Sequence, residues 1–222
     1  MAGSSDRGSA RWLRLAALPA GIAVFCWFFP LFHLERLNSA AAGTQASATA
    51  AFDPKASAEK FWREQLISAA DHATDLARVV YAVRENPESA RKSFGKSAGV
   101  GARYFFLRGT GRVVVRERNV LRVAVDGAPN EIVALRIGPV FGNTVRDGSG
   151  LLDVNAFPGL QEYNALSAEL NALVEKQVLP PLREKAGVGA TIAFAGCAEA
   201  PEAAADAGEP LFTVVPVKAE VR

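Results

Sequence analysis

One segment of the chain concentrates side chains that could bind a ligand or catalyse a reaction. It runs from Gly138 to Asn164 and reads GPVFGNTVRDGSGLLDVNAFPGLQEYN. Its amide and charged groups stand among glycines and aromatic residues, at Asn143, Arg146, Asp147, Asp153, Asn155, Gln161 and Asn164. Glycines allow tight turns, and an arginine can hold a polar group through two parallel hydrogen bonds. We therefore take these seven residues as a candidate site for a small polar ligand.

The same composition also fits a structural role for this loop. A long ordered loop has to pair its own backbone groups, and an internal Arg146–Asp147 ion pair with buried Phe141, Phe157 and Tyr163 would help it do so. Alternatively, Asp147 and Asp153 could act as a general acid and base or hold a calcium ion, although their spacing matches no EF-hand loop. The sequence leaves these alternatives open.

Most familiar catalytic sets lack a residue that they require. Of the two histidines, His33 lies in an apolar N-terminal block and His72 lies at a predicted helix start, where a solvated or capping role is expected. The chain has no Cys/His cluster with zinc spacing and no glycine-rich phosphate loop after a strand. Cys197 is expected to be a buried, unreactive thiol. We therefore predict no cofactor, no metal and a non-enzymatic function.

A second polar feature is a group of six arginines within twenty residues. They are Arg103, Arg108, Arg112, Arg116, Arg118 and Arg122. Valines and a leucine alternate with several of them, so strands here would turn the apolar side chains inward and the arginines onto one outer face. Such a face could contact anionic lipid headgroups or an acidic partner, or could simply be solvated.

Nucleic acid is not expected as a partner. Of 25 basic and 23 acidic residues, 4 and 2 precede Thr44, which leaves 21 of each in the rest of the chain. A domain without net charge lacks the broad positive field that phosphate binding requires. The formal net charge of +2 therefore says little about partners of the folded part.

The N-terminal segment has the length and composition of a membrane span. Leu15 to Leu34 contains 20 residues without formal charge, enough for a helix to cross about 30 Å of hydrocarbon. Three arginines precede this block and charges of both signs follow it, so the positive-inside rule places residues 1–14 in the cytoplasm. A cleaved signal peptide is the main alternative, with Ala40 to Ala42 near the cleavage site.

The remaining sequence predicts a linker and one α+β domain. Residues 38–51 are small and polar without apolar periodicity, as in flexible linkers, and residues 52–222 have the length of a single domain. Asp53 followed by Pro54 is a helix start signal, and further helical patterns begin at Asp71 and after Asn86 and Pro87. These helices are expected to form one layer.

The order of the later elements indicates a small barrel. From Arg103 onward, three or four β-rich runs are separated by glycines, including a turn at Asp126–Gly127. An amphipathic helix follows over Gln161 to Lys185 and loses regularity at Pro180 and Pro181, and two strands near residues 190–200 and 211–221 close the domain. Three strands, a helix and two strands is the order of an OB-type barrel. We therefore predict an α+β fold with an N-terminal transmembrane helix, a helical layer and a small antiparallel OB-like β-barrel with an inserted amphipathic helix.

Four strings of the sequence carry a family resemblance. They are FDPKASAEKFW, GPVFGNTVRDGSGLLDVNAFP, QEYNALSAELNALVEKQVLPPLRE and GVGATIAFAGCAE, and the most specific part is Phe141 to Gly148. Over nearly the whole length, the chain resembles an uncharacterised bacterial family of predicted periplasmic lipoproteins, domain of unknown function 2291. The resemblance implies a periplasmic, membrane-associated protein, often encoded beside sugar ABC transporters, with no established activity or catalytic residue. Here Phe25 precedes Cys26, which is a poor lipidation site and favours a protein anchor.

These observations predict a non-enzymatic accessory protein in the bacterial inner membrane, with one span, a cytoplasmic N-terminus and a periplasmic domain. The expected partners are the cytoplasmic membrane and either a small polar ligand or components of an ABC transporter, bound through the loop from Gly138 to Asn164. One alternative is a periplasmic hydrolase or isomerase that acts on a sugar derivative through Asp147 and Asp153. Another is a structural envelope protein with a lipid-facing arginine surface.

Overall fold

The structure is a computed structural model, and it describes residues 52–97 and 102–222. These residues belong to one compact unit, Ala50–Arg222. The predicted cytoplasmic, membrane and linker segments, residues 1–14, 15–34 and 38–51, lie outside the described residues. Within the described ranges, no helix is both long and apolar enough to cross a membrane.

The first helix, α1, begins where the sequence predicts. It consists of an α-helix Pro54–Phe61, a π-helical turn Trp62–Leu66 and an α-helical turn Ile67–Ala70. The Asp53 side chain accepts hydrogen bonds from two backbone N–H groups of the first turn. Pro54 has no N–H to satisfy and occupies the first helical position, so the two residues together fix the helix start.

Two more helices, α2 (Leu76–Glu85) and α3 (Pro87–Phe94), complete the helical layer. The predicted start of α2 at Asp71 is wrong, because residues 71–73 form a turn and Asp75 is the residue that accepts a hydrogen bond from the first turn of α2. The boundary between α2 and α3 at Asn86 lies where the sequence predicts it.

Five strands form the barrel. They are β1 (Arg103–Arg116), β2 (Val120–Val125), β3 (Ile132–Arg136), β4 (Thr191–Glu199) and β5 (Thr213–Val221). The order β1-β2-β3-β5-β4 returns to β1, which pairs with both β2 and β4, so the sheet closes on itself. This arrangement confirms the predicted OB-like barrel. The sheet is mixed, not purely antiparallel as predicted, because β3 and β5 run parallel.

β1 is one continuous strand of 14 residues, where the sequence suggested two runs separated at a glycine pair. A Cβ atom at Gly109 would lie 2.7 Å from Leu76 of α2, and one at Gly111 would lie 2.6 Å from the side chain of Val123. The two glycines therefore allow close packing across the strand and do not form a turn. By contrast, Gly127 adopts a positive φ of 81° in the turn that the sequence predicts between β2 and β3.

Two helices lie between β3 and β4: the short α4 (Thr144–Gly148) and the long α5. α5 comprises three consecutive helical segments, Leu160–Leu173, the π-helical turn Val174–Val178, and Leu179–Lys185. The helix continues through Pro180 and Pro181, which occupy the first turn of its last segment, where a missing backbone N–H has little effect.

One hydrophobic core joins the barrel interior to the helices. Its largest fully buried side chains come from α1, α2, α5 and the strands, and include Leu66, Leu76, Phe105, Leu121, Leu135, Leu170 and Ile192. Burial of one such side chain stabilises the fold by about 1.5–3 kcal/mol. Because α5 also packs along α1, its polar face is positioned beside the loop that follows β3.

Candidate functional site

The loop after β3 is fixed in place by polar side chains of α5. Gly142 has a positive φ of 78°, and its carbonyl oxygen accepts hydrogen bonds from Ser167 Oγ and Asn171 Nδ2, each at 2.9 Å. The backbone N–H of Val140 donates to a carboxylate oxygen of Glu175 at 2.7 Å. Residues 167, 171 and 175 are four apart and therefore lie on one face of the helix. That face acts as the support on which the loop rests.

Arg146 and Asp147 form a buried ion pair. Arg146 Nε and Nη2 donate to the two carboxylate oxygens at 2.7 and 2.9 Å, and the two side chains are 6% and 7% exposed. Arg146 Nη1 donates to Asn164 Oδ1 at 2.8 Å, and the guanidinium lies 3.8 Å from the ring centroid of Tyr163. Each guanidinium nitrogen therefore has a protein partner. The sequence suggested that the paired donors of the Arg146 guanidinium bind a ligand. In the structure these donors bind Asp147.

The same cluster includes Tyr163, whose hydroxyl donates to Asp147 Oδ1 at 2.9 Å. Burial, followed by this bond to a carboxylate, raises the pKa of Tyr163 to about 12. The phenol thus remains protonated and keeps donating. Burial and the nearby Asp147 charge also raise the pKa of Tyr104 on β1. The cluster is closed and internally paired, which favours the structural role that the sequence left open for Arg146 and Asp147.

Gly148 allows α4 to approach the barrel. A Cβ atom at this position would lie 2.8 Å from Cys197 Sγ on β4, closer than packed atoms normally come. Cys197 is fully buried, its Sγ lies 3.9 Å from the Val145 carbonyl oxygen, and burial raises the pKa of its thiol. The prediction that this thiol is buried is confirmed. Because Asp147 directly precedes Gly148, the ion pair lies next to the contact between α4 and β4.

The remaining predicted residues on this loop do not join the ion pair. Asp153 accepts hydrogen bonds from the backbone N–H and Nδ2 of Asn155, both at 2.9 Å, and caps a 3₁₀ turn, Val154–Ala156. Asp153, Asn155 and Gln161 are exposed. An acid–base pair requires two carboxyl groups in one cleft. The structure instead buries Asp147 in an ion pair and exposes Asp153 as a cap.

An open polar groove lies between the loop and α5. Its volume is about 400 Å³, and its polar lining comprises Asn143, Asn164, Ser167, Asn171 and Glu175. The structure thus brings together two of the seven predicted residues and adds three residues of α5 that the sequence analysis missed. A signal for the missed residues existed, because Asn164, Ser167, Asn171 and Glu175 recur at three- and four-residue spacing, on a stripe adjacent to that of the leucines.

Three polar side chains of this groove use only one of their two polar atoms in hydrogen bonds within the fold. Asn164 Oδ1 accepts from the buried arginine, Asn171 Nδ2 donates to the loop carbonyl, and one Glu175 oxygen accepts from the loop N–H. Within the described residues, Asn164 Nδ2, Asn171 Oδ1 and the second Glu175 oxygen have no hydrogen-bond partner. Side chains fixed in this way lose less rotamer freedom when a ligand binds. The groove is therefore a preorganised set of donors and acceptors.

Phe141 stands at the rim of this groove with 79% of its surface exposed. A purely structural role for the loop would have buried it with Phe157 and Tyr163. Tyr163 is buried and Phe157 packs against it at 5.0 Å between ring centroids, but Phe141 faces solvent. The loop on both sides of Phe141 is tied to α5, so its ring is presented from a fixed backbone. Such a ring offers an apolar contact next to polar groups, the combination found in small-molecule sites.

The arginines of β1 and β2 do not form one free cationic face. Four of the six hold other parts of the fold by donating to backbone carbonyls or carboxylates: Arg103, Arg108, Arg116 and Arg122. Arg122 pairs with both Glu117 and Glu209, so its charge is locally balanced. Arg112 and Arg118 are exposed. A surface of this kind gives little support to lipid or nucleic-acid binding.

The described part of the chain offers no metal centre. No group of three or more His, Cys, Asp or Glu side chains within it is arranged to hold a metal ion. His72 is exposed in the turn before α2. The groove beside Phe141 is therefore the site that the chemistry of this loop favours, and its chemistry is hydrogen bonding.

Comparisons with known proteins agree with this fold and identify a family model. A model described as predicted periplasmic lipoprotein (DUF2291) matches residues 22–220, which confirms the family resemblance. The crystal structure of an OB-fold protein from Thermotoga maritima MSB8 is similar, with a TM-score of 0.63 and 25% sequence identity. The match covers 77% of this chain and 99% of that one. No curated protein matches the sequence.

Proposed function

This chain belongs to the DUF2291 family of predicted periplasmic lipoproteins, and on that premise we propose that it is a non-catalytic accessory protein that binds a small polar ligand in the groove beside Phe141. The observation that carries the proposal is a set of three side chains on α5, each of which uses only one of its two polar atoms in a hydrogen bond within the fold. Asn171 and Glu175 each hold the loop with one polar atom, and Asn164 binds Arg146 with one; within the described residues, the second polar atom of each side chain has no hydrogen-bond partner.

The chemistry of the groove favours a neutral ligand with several hydroxyl groups. Its volume of about 400 Å³ suits one small molecule. Amide donors and acceptors match hydroxyl groups, which both donate and accept. The one charged group in the lining is Glu175, so an anionic ligand would meet no positive partner there. The ring of Phe141 supplies an apolar surface against which a sugar ring could lie.

We propose further that the segment from Leu15 to Leu34 holds the domain at the inner membrane and that a component of a sugar ABC transporter is its partner. The length, the lack of charge and the preceding arginines support this anchor, and the family description supports a periplasmic, membrane-associated location. A tether keeps a binding module at high local concentration near a membrane partner, so even weak ligand or partner binding becomes useful.

The test is a calorimetric titration of the full chain in detergent with neutral monosaccharides: glucose, galactose, xylose, arabinose and ribose. Ala168 is exposed and lines the groove, so Ala168→Phe fills the groove without removing a contact of the fold. Phe141→Ala removes the exposed ring. Val188→Ala is the matched control, because Val188 is 68% exposed and does not line the groove.

We expect at least one sugar to bind, Phe141→Ala to weaken that binding about tenfold, equivalent to about 1.4 kcal/mol, and Ala168→Phe to abolish it. The Val188→Ala variant should bind as the unaltered chain does. Failure of every sugar to bind, or unchanged binding by a folded Ala168→Phe variant, would refute the proposal.

A further inference from the structure

A separate cavity of about 480 Å³ lies on the outer face of β1, β4 and β5. Strand register defines its floor and walls. Ala195 of β4 is paired with Arg108 of β1 on one side and with Lys218 of β5 on the other. Directly opposed residues of neighbouring strands point to the same face. The three side chains therefore form one row across the sheet, with two cations flanking a methyl group.

A second row lies two residues further along the strands. Here Ala193 of β4 is flanked by Thr110 of β1 and Glu220 of β5. The middle strand, β4, thus contributes only methyl groups in both rows, and these form the floor of the cavity. The neighbouring strands β1 and β5 contribute longer or polar side chains, which form its walls. Asp126 also lines the cavity and is held beside this row, because its backbone N–H donates to the Thr110 carbonyl oxygen at 3.0 Å.

The turn between α1 and α2 lies over the first row. Arg108 Nε donates to the Ala73 carbonyl oxygen at 3.1 Å, and Lys218 Nζ donates to Asp71 at 2.6 Å. Both cations keep further N–H groups beyond these bonds. The Lys218 and Asp71 side chains are 49% and 58% exposed, so their ion pair is weak and a ligand can compete with it.

The two rows have opposite charge. The first carries the guanidinium of Arg108 and the ammonium of Lys218, and the second carries the carboxylate of Glu220 with that of Asp126 beside it. The cavity lining also includes Asp71 and Asp75 from the turn before α2, and Arg222 after β5. Two residues along a strand correspond to about 7 Å. Glu220 also pairs with Arg222 at 3.3 Å, and these side chains are 69% and 58% exposed, so a ligand can compete with this ion pair as it can with that of Lys218 and Asp71. A ligand that carries one charge of each sign can contact both rows at once, whereas an ion of one sign can contact only one of them.

From this pattern we propose that the cavity is a second binding site, for a small zwitterion whose carboxylate lies between Arg108 and Lys218 and whose ammonium group contacts Glu220 and Asp126. None of these residues lines the groove beside Phe141, so the site is independent of the proposed sugar-binding function. Charge complementarity at both ends of the ligand supplies the specificity, and the alanine floor supplies the space.

The probes are 4-aminobutyrate, butyrate and butylamine, titrated separately into the full chain in detergent. The first carries both charges at the ends of a short chain, and each of the others carries one of them. We expect 4-aminobutyrate to bind at least tenfold more tightly than either single-charge probe. Equal affinities, or no measurable binding of 4-aminobutyrate, would overturn the proposal.

Two variants locate the binding. Ala193→Leu raises the floor from an outward-facing position, and it should abolish 4-aminobutyrate binding. Glu220→Gln removes one ammonium partner without changing shape, and it should weaken 4-aminobutyrate about tenfold while leaving butyrate unchanged. Glu184→Gln, an exposed position on α5, is the matched control. If Glu220→Gln weakens butyrate equally, or if folded Ala193→Leu binds 4-aminobutyrate normally, the site is not this cavity.

Discussion

Arg146 is the residue whose sequence-based assignment changes most in the structure. The pattern of an arginine next to an aspartate suggested a two-pronged ligand contact, but the sequence also allowed an internal ion pair between the two residues, and burial decides between these outcomes. The side chains of Arg146 and Asp147 are buried, and Tyr163 and Asn164 complete their hydrogen bonds. Sequence alone could not predict this burial, because it depends on where α4 meets α5.

The first prediction concerns the loss of this arginine. Arg146→Met leaves the buried Asp147 carboxylate with only the Tyr163 hydroxyl as a partner, so we expect the free energy of unfolding to fall by about 3–5 kcal/mol. Arg222→Met is the control, because Arg222 pairs with Glu220 on the exposed surface and should matter by less than about 1 kcal/mol. Urea unfolding of both variants measures this difference. Similar decreases in the free energy of unfolding would contradict the structural role of the Arg146–Asp147 pair.

The second prediction concerns the ionisation of Tyr163. Burial and its bond to Asp147 raise its pKa to about 12, whereas an unfolded tyrosine ionises near pH 10. The folded state therefore binds the phenolic proton more tightly, and the stability that this gives is full below about pH 10 and is lost as the pH rises towards 12. Ultraviolet titration of tyrosinate should contain a step near pH 12 that Tyr163→Phe removes.

Tyr81 provides the comparison for that titration. Its ring is 53% exposed, and it takes no part in the buried cluster. Tyr81→Phe should leave the step near pH 12 in place. A titration in which Tyr163→Phe removes only an early step would show that the hydroxyl is not buried against a carboxylate.

At the scale of elements, the features that depend on neighbouring residues were predicted better than the pairing of strands that are far apart in the sequence. The start of α1 at Asp53 and Pro54 and the turn at Gly127 depend on neighbouring residues, and both are as predicted. The start of α2 was misassigned because two aspartates, Asp71 and Asp75, offer equivalent caps, and only tertiary contacts choose between them. The parallel pairing of β3 with β5 joins residues about eighty positions apart, which no local pattern encodes.

One wall of the candidate site could likewise be predicted from local sequence, and the other could not. Its loop could be identified from composition, because glycine, asparagine and aspartate mark a built turn. Its other wall could not, since Ser167, Asn171 and Glu175 lie on a helix whose leucines dominate the pattern. Which polar face of α5 meets the loop is fixed by the packing of α5 on α1 and the barrel.

The third prediction concerns the contact between α4 and β4. Gly148→Ala places a methyl group against Cys197, so we expect α4 to shift and the free energy of unfolding to fall by about 1–3 kcal/mol. Gly187→Ala is the matched control, because no atom lies within 4 Å of the added methyl group there. Thermal unfolding of the two variants should differ clearly. Equal melting temperatures would mean that α4 does not pack on β4 in this way.

At the scale of the whole molecule, the type of membrane anchor has its own test. The family description names a lipoprotein, whereas Phe25 before Cys26 disfavours lipidation and the uncharged segment from Leu15 to Leu34 favours a retained span. We predict that Cys26→Ser leaves the protein in the membrane fraction and that mass spectrometry detects peptides from residues 1–14. A mature chain beginning at a lipid-modified Cys26 would contradict this prediction.

We propose that a ligand binds this protein in the groove between the loop and α5, while the buried ion pair holds that groove in shape. Four of the seven predicted site residues carry side-chain amides, but only Asn143 and Asn164 line the groove. Asn155 and Gln161 are exposed elsewhere on the same loop and helix start. These four amides therefore report separately on the groove and on its surroundings.

The most direct test is a nuclear magnetic resonance titration that follows these side-chain amide signals as the tightest-binding monosaccharide of the panel is added. We expect the Nδ2 signals of Asn143 and Asn164 to shift with a common affinity, while the side-chain amide signals of Asn155 and Gln161 stay in place. Shifts confined to Asn155 and Gln161, or no shift of any of the four at millimolar sugar, would contradict it.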